Sequence, residues 1–585
     1  MIFTAALAVA FGSVLGAATS AGAQTPLQVG AESVGTDRPI IRSIQIEVRE
    51  IFDESNLGFF YDSVNSLKAS TKEEVIRREL LLKEGEPFDD FLLDESERNL
   101  RSLPFLRRIS ITPLRDGPYV DLLVSVQDTW TLFPFITLSS GGGTSRQAVG
   151  VTEGNLLGYG KRLELLVADD EGREKIEGVW DDRRLLGTYH RLTLGQFIRS
   201  DGERTAFSVG RPFRSLVEPT AWSLNSDYFD LVGRLFEAGD ERYIFRQRHT
   251  SVAGGYTISK GDPEELLRRY TFGYEYLDDD FSQADEQDFE DINLDPASVT
   301  QDPSLLADDR QFSGPFVAYQ QIEPDFLSIN FVDRFERVED FNLGNELNLR
   351  LNAAPDLFGS RRDTWLVRAS DSDGWRITPT SFIRGEVAVS SRYQSGGFDN
   401  SLIEGVVKYY NILGAKFIGD TYIGKHTIAS SLSVDWGEDL DRDVELLLGA
   451  RDGLRGYQDR TFTGDQRLVL NLEDRFHLVE DVYKLVSIGG AFFLDAGGTS
   501  RSGLADIVKD NLYADVGFGL RFALTRSSGG AVVRIDFAFP LRDGPDGSGV
   551  GEPRILFTSG TLFGARLPSE RLSSQAEAVS AGFIP

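Results

Sequence analysis

Two periodicities divide this chain. Between Ile40 and Gln127 the apolar positions pass from alternation to helical spacing and back. Ile44, Ile46 and Val48 share one face of a strand, Val75, Ile76 and Leu80 form a helical stripe, and alternation returns over Tyr119–Gln127. Thr71 and Glu74 stand at capping-box spacing ahead of the stripe, and Gly85 with Pro87 mark its end. Asp89 or Asp90 is placed to cap a second helix reaching about Leu103. Strands over Arg108–Leu114 and Tyr119–Gln127 follow, joined by the turn Arg115-Asp116-Gly117-Pro118. The order β-α-α-β-β predicts a small α/β domain over residues 38–128.

From Trp130 to Phe563 helical spacing fades and period two takes over, with Gly, Asp, Ser and Asn between the segments. Val533, Ile535, Phe537 and Phe539 alternate with Arg534, Asp536 and Ala538, while Val516, Phe518, Leu520 and Phe522 alternate with Gly517, Gly519 and Arg521. Ser200-Asp201-Gly202 marks a hairpin between Arg191–Ile198 and Arg204–Val209. Alternation alone fits a soluble sandwich as well as a membrane barrel. Two further features select the barrel, together with the length of unbroken β pattern. Ile2 to about Leu15 is apolar and leads to Ala21-Gly22-Ala23, a secretory signal peptide over residues 1–23, although no Lys or Arg precedes the apolar run. Closure also removes the unpaired edges that lipid cannot solvate. The fold class expected is therefore mainly β: a transmembrane antiparallel barrel over residues 129–563, preceded by the α/β domain. At ~10 residues per membrane strand plus loops, it would hold about sixteen strands. Residues 564–585 form a C-terminal tail.

Composition narrows the chemistry. A net charge of -30 excludes a nucleic-acid partner, which needs concentrated Lys and Arg. A mean hydropathy of -0.22, and no run after residue 23 near the ~20 apolar residues of a spanning helix, exclude a helical membrane protein. Cysteine is absent, which suits an oxidising periplasm. The acidic runs Asp278–Asp295 and Asp169–Glu174 read as solvated extracellular loops, with divalent bridging to anionic lipopolysaccharide as the alternative. Asp439, Asp441 and Asp443 begin like a calcium loop but lack its Gly and Glu. The histidines His190, His249, His426 and His477 have no metal spacing, no G-x-S-x-G elbow occurs, and Gly154–Lys161 misses the phosphate-loop spacing. No enzyme, metal or cofactor is expected.

Three elements near the C-terminus, Leu454-Arg455-Gly456-Tyr457, Asn471-Leu472-Glu473-Asp474-Arg475 and Phe493-Leu494-Asp495-Ala496-Gly497, resemble the lid-loop lock of the BamA/TamA (bacterial surface antigen) family. Asp128–Pro134 is similar to the family's junction from docking domain to first strand, and Glu153–Gly160 to its first hairpin. Gly210-Arg211-Pro212-Phe213 and Glu339–Gly344 resemble further recurrent segments. The resemblance implies that residues 38–128 are a polypeptide-transport-associated (POTRA) domain in the periplasm and that the barrel sits in the outer membrane. It also implies that Arg455 is a tip cation held by Glu473 and Asp495, with Gly456, Tyr457 and Gly497 completing the lock. Phe557, Gly560 and Phe563 fall on the last strand, at the seam with the first. The implied function is an assembly or insertion factor for outer-membrane β-barrels. A pore for a dedicated polypeptide or for lipid, and a passive barrel, are the alternatives. The implied partners are outer-membrane lipid and lipopolysaccharide, unfolded outer-membrane protein clients and periplasmic accessory proteins. Two departures stand out: a tail follows the last strand, and only one docking domain is present.

Overall fold

The computed structural model describes residues 38–52, 69–141, 144–170, 173–528 and 532–559. The expected signal peptide, the tail, Gly560 and Phe563 lie outside the described residues.

The first domain is a three-stranded sheet covered by two helices. β1 (Ile40–Arg49) runs parallel to β3 (Tyr119–Asp128), and β2 (Leu106–Asp116) pairs antiparallel with β3. Between β1 and β2 lie α1 (Glu73–Arg77) and α2 (Asp90–Arg101). Asp89 caps α2, accepting from the Phe91 and Leu92 amides at 3.0 and 3.3 Å. Ile41, Ile44, Val75, Ile76, Leu100, Phe105 and Val124 form part of one buried core, so the period-two and helical stripes converge as the sequence predicts.

Two local expectations fail. Helix α1 ends at Arg77, well before Gly85, and its N-cap Lys72 makes no side-chain cap. The capping box does not form because the Thr71 hydroxyl bonds the Asp128 carboxylate, whose other oxygen takes the Thr71 amide at 3.0 Å. A buried tertiary acceptor has displaced a local one.

Beyond Asp128, among the described residues, a single antiparallel sheet of twenty strands closes into a barrel, with the last strand (Arg554–Ser559) beside the first (Leu132–Gly141). Sixteen was the expected count. The difference lies in the turns: Ala238-Gly239 and Ser395-Gly396 close long hairpins over two residues at positive φ, which leaves more chain for strands. Likewise Asp278–Asp280, read as loop, belongs to the strand Leu266–Gln283. Among the described residues no helix is long and apolar enough to cross a membrane.

The wall is uneven. Its first six strands have 9 or 10 residues each, whereas Asp240–Asp262 has 23. Ten tilted residues span roughly 25 Å, close to the height of a barrel's apolar band. Val149, Leu165, Val167, Ile176 and Ile198 are exposed on the outer face, where large apolar residues mark a lipid surface. Facing inward are ion pairs such as Arg467–Asp435 at 2.6 Å and Arg350–Glu275 at 2.8 Å. Val533, Ile535, Phe537 and Phe539 take the outer face of their strand, and Arg534, Asp536 and Ala538 the inner one, as the alternation predicts.

Candidate functional site

The loop between the strands Thr421–Glu438 and Gln466–Val482 leaves the mouth opposite the first domain and folds back inside. A short pair of strands, Leu446–Leu448 with Phe462–Gly464, narrows its base. Leu448, Leu454, Tyr457, Phe462 and Val469 form a cluster, and Leu454 and Tyr457 are fully buried. Desolvating these side chains holds the loop against the wall and brings Arg455 into the lumen.

The guanidinium of Arg455 meets both expected carboxylates. Nε and Nη2 donate to Asp495 at 2.6 and 2.8 Å, and Nη1 donates to Glu473 at 2.6 Å. The cation also lies 3.5 Å from the ring centroid of Phe493. A planar, permanently charged fork suits this bidentate arrangement, which an ammonium cannot reproduce. The Tyr457 hydroxyl donates to the carbonyls of Arg542 and Ala514 at 2.9 and 3.1 Å, and its ring packs edge-on against Phe462 and Tyr513. Gly497 allows close approach, since a Cβ there would stand 2.6 Å from the Leu468 carbonyl.

A Cβ on Gly456 would lie 2.6 Å from Cβ of Asp515, so this position tolerates no side chain without movement. Gly456→Ala should displace the tip at a cost of roughly 1–3 kcal/mol. Limited proteolysis of the loop in the folded barrel checks this; protection equal to the wild type would refute it.

Several partners in the same network had no expected role. Asn471 donates to Asp495 at 2.7 Å and to the Gly453 carbonyl at 2.8 Å, tying wall to loop. Asp536 stands 3.7 Å from the guanidinium. Arg554, on the last strand, donates to the Gly456 carbonyl at 3.2 Å, so the seam strand is fastened to the lid tip. Arg475 donates to the second oxygen of Glu473 at 2.8 Å. Asn471 and Arg475 lie inside the quoted motif; luminal alternation from Glu473 places both on its face, a signal the motif alone does not use. Of the seam residues, Phe557 pairs with Ile535.

The mouth facing the first domain is also filled. Residues 323–345 fold as a hairpin, Phe326–Ile329 against Glu339–Asn342, whose tip enters the lumen. Val332 and Leu343 pack with Phe382, Tyr410 and Ala429, and Phe335 packs with Ala523 and Val532. The segment Glu339–Gly344, which resembles a recurrent family segment, is thus one side of a stopper.

Within this hairpin, burial reinforced by the Asp333 carboxylate pushes Glu339 from 4.5 up to about 7, although the Asp333 and Arg334 amides and the Arg334 charge favour its ionised form. The raised value means that the folded hairpin binds the proton more tightly. Its contribution to docking is full below about 4.5 and is lost as pH rises through about 7. Backbone amides of the hairpin should therefore exchange more slowly at about pH 5 than at about pH 8 after correction for intrinsic rates. Glu339→Gln should erase that difference; persistence of the difference would assign it to another group.

Asp441 and Asp443 are held by Arg310 at 2.6 and 2.8 Å, and Asp441 also by Arg392 at 2.7 Å, so guanidinium groups occupy these carboxylates. His249 meets Asp279 and His426 meets Asp474, on separate parts of the wall. Among the described residues no group of three His, Asp or Glu could hold a metal.

A family profile described as "Surface antigen variable number repeat", the POTRA family, matches residues 63–128. The solved structures that resemble this chain include BamA from Haemophilus ducreyi lacking POTRA domains 1-3, at 11% identity and a TM-score of 0.37, covering 90% of this chain and 85% of that one. CdiB from Acinetobacter baumannii shares 11% identity at a TM-score of 0.44, covering 90% of this chain and 74% of that one. CdiB from Escherichia coli shares 9% at 0.42, covering 90% and 77%. None of the curated proteins matches the chain.

Proposed function

We propose that this chain, a POTRA domain followed by a closed barrel that resembles the BamA/TamA family, is an outer-membrane assembly or insertion factor. Its POTRA domain lies in the periplasm and captures unfolded β-barrel clients. The seam between Leu132–Gly141 and Arg554–Ser559 receives them in the membrane. Outer-membrane lipid and lipopolysaccharide surround the barrel, and periplasmic accessory proteins meet the docking domain.

One observation carries the reading: the last strand, beside the first in the barrel, is bonded to the tip of the lid. Strands of 9 or 10 residues flank the seam on one side and the 9-residue strand Val532–Pro540 on the other, while Arg554 joins the last strand to Gly456. Release of the lid would free the last strand from the Gly456 carbonyl, so that it can part from the first. Both mouths are stoppered, by the Arg455 loop and by the 323–345 hairpin, which weighs against a passive solute channel.

Capture follows sheet-edge chemistry. In β2, Pro113 removes an amide from the edge. In β1, Glu84–Phe88 covers only the first residues, through bonds such as Gly85 N to Ile41 O at 2.8 Å. Gln45–Arg49 is therefore the favoured edge. A photocrosslinker at Glu47 should trap barrel precursors. Depleting the protein should lower many outer-membrane barrel proteins together. Loss of one secreted polypeptide alone would instead identify a dedicated pore, and no change in either would sink both readings.

A further inference from the structure

Arg475 stands between the two stoppers. On one side its Nε donates to Glu473 at 2.8 Å, and the other oxygen of Glu473 accepts from Arg455 at 2.6 Å. On the other side its Nη1 donates to the Val332 carbonyl at 2.8 Å and to Asp333 at 3.2 Å, both in the hairpin. The Tyr410 hydroxyl reaches the second oxygen of Asp333 at 3.4 Å. Glu473 and Arg475 are two residues apart on one strand, hence on the same luminal face. The lid and the hairpin thus share one run of alternating charge: Arg455, Glu473, Arg475, Asp333.

The hairpin's other end is held by the POTRA domain. Arg101, in the last turn of α2, grips Asp340 with two bonds of 2.8 and 3.0 Å. Arg337 reaches back to the carbonyls of Leu103, Pro104 and Leu106 at 3.1, 3.3 and 3.2 Å, just past the end of that helix. Arg98 lies 4.2 Å from the ring centroid of Phe326. These bonds span from the docking domain to the hairpin without touching the lid.

We propose that the 323–345 hairpin is a second gate, and that it transmits movement of the POTRA domain to the lid through Arg475. This rests on the lid-lock reading of Arg455 and adds its regulation. If a bound client tilts α2, Asp340 and Arg337 pull the hairpin and Asp333 leaves Arg475. Arg475 then draws more strongly on Glu473, the carboxylate it shares with Arg455, and weakening the buried Arg455–Glu473 pair is costly. The lid is thereby loosened from the opposite side of the barrel. Four groups of the chain carry the coupling: Asp340 and Arg337 as handles, Asp333 as the contact, and Arg475 as the relay.

The chain has no cysteine, so one introduced thiol reports one place. Leu454→Cys reports the lid, where Leu454 is fully buried, and Val332→Cys reports the hairpin, where Val332 is 1% exposed. The full-length protein is reconstituted in vesicles and labelled with a membrane-impermeant maleimide, and heat-modifiable migration confirms a folded barrel. Arg337→Ala combined with Asp340→Ala should raise labelling at both reporters several-fold, although both changes lie on the hairpin. Asp333→Asn should do the same, and adding Arg475→Gln to the double variant should produce no further increase at the lid. A rise at the hairpin reporter with an unchanged lid reporter would overturn the coupling and leave two independent stoppers. Arg455→Ala separates the two ideas: if it fails to raise lid labelling, the lock reading itself is wrong. If it raises lid labelling while the hairpin variants do not, only the relay fails.

Discussion

Arg455→Ala is expected to release the lid and convert a stoppered barrel into an open one. The substitution leaves Glu473 and Asp495, both fully buried at the side chain, facing each other's field without their shared cation. Breaking a buried pair in this way costs about 3–5 kcal/mol, because the stranded charges keep their desolvation penalty. The loop has less to hold it: the Leu448–Tyr457 cluster, the Tyr457 hydroxyl bonds and Asn471 remain, but Asn471, bonded to both Gly453 and Asp495, is then what links the loop to the Asp495 carboxylate. Single-channel recording in planar bilayers should show rare, small openings for the wild type and frequent, large ones for Arg455→Ala. Arg455→Lys should fall between, since an ammonium cannot bond Asp495 through two fixed donors while also reaching Glu473. Conductance unchanged by Arg455→Ala would mean that the lid does not occlude the lumen.

The same change bears on the seam. Arg554 holds the last strand to the Gly456 carbonyl, and that carbonyl moves with the tip. In the proposed reading lid release and seam weakening are one event, because the loop is bonded to residues on both sides of Asp515. Glu473 and Asp495 anchor it from one side, and Arg542, Asp546 and Arg554 from the other.

Which of these features could be read from residues alone follows from where their information lies. Period-two alternation in Val533–Phe539 is readable because each side chain carries its own lipid or lumen address, and the fold preserves it. Arg455, Glu473 and Asp495 are readable through resemblance, and the structure brings the three together. Asp536 and Arg554 are not, because barrel closure and register place them beside the loop and no spacing in the chain encodes that. The hairpin at 323–345 escaped for the opposite reason. Its strands have four residues each, too short to show a period, and its burial depends on Phe382, Tyr410 and Ala429 on other strands. The Thr71 capping box misled because the same hydroxyl had a better acceptor 57 positions away, in Asp128.

That acceptor supports the second large effect. Asp128 is buried at the end of β3 and binds both the amide and the hydroxyl of Thr71. The hydroxyl in turn accepts from the Asn155 side-chain amide at 2.7 Å, and the Asn155 Oδ1 accepts from the Gly160 amide at 2.6 Å, in the turn that joins the second and third barrel strands. Beside this chain of bonds the Lys72 amide donates to the Gly158 carbonyl at 3.0 Å, and a Cβ on Gly158 would sit 2.2 Å from the Ser70 carbonyl. The domain is thus seated on the barrel by a buried polar joint with no slack. Asp128→Ala removes a charged acceptor from two donors that water cannot easily reach, worth about 3 kcal/mol in total. Spin labels at cysteines replacing Glu47 and Asp420 should give one narrow distance in the wild type and a broad distribution in Asp128→Ala, with the barrel still folded. Asp128→Asn, which keeps an acceptor for one donor, should broaden it less. If α2 drives the hairpin, a domain loose at this joint can no longer transmit force through Arg101. Client-dependent lid opening should then be lost while spontaneous opening is not; a narrow distance in Asp128→Ala would show that other bonds, such as Arg184 to Glu79, Arg214 to the Arg78 carbonyl and Arg337 to the Leu103 carbonyl, seat the domain without the joint.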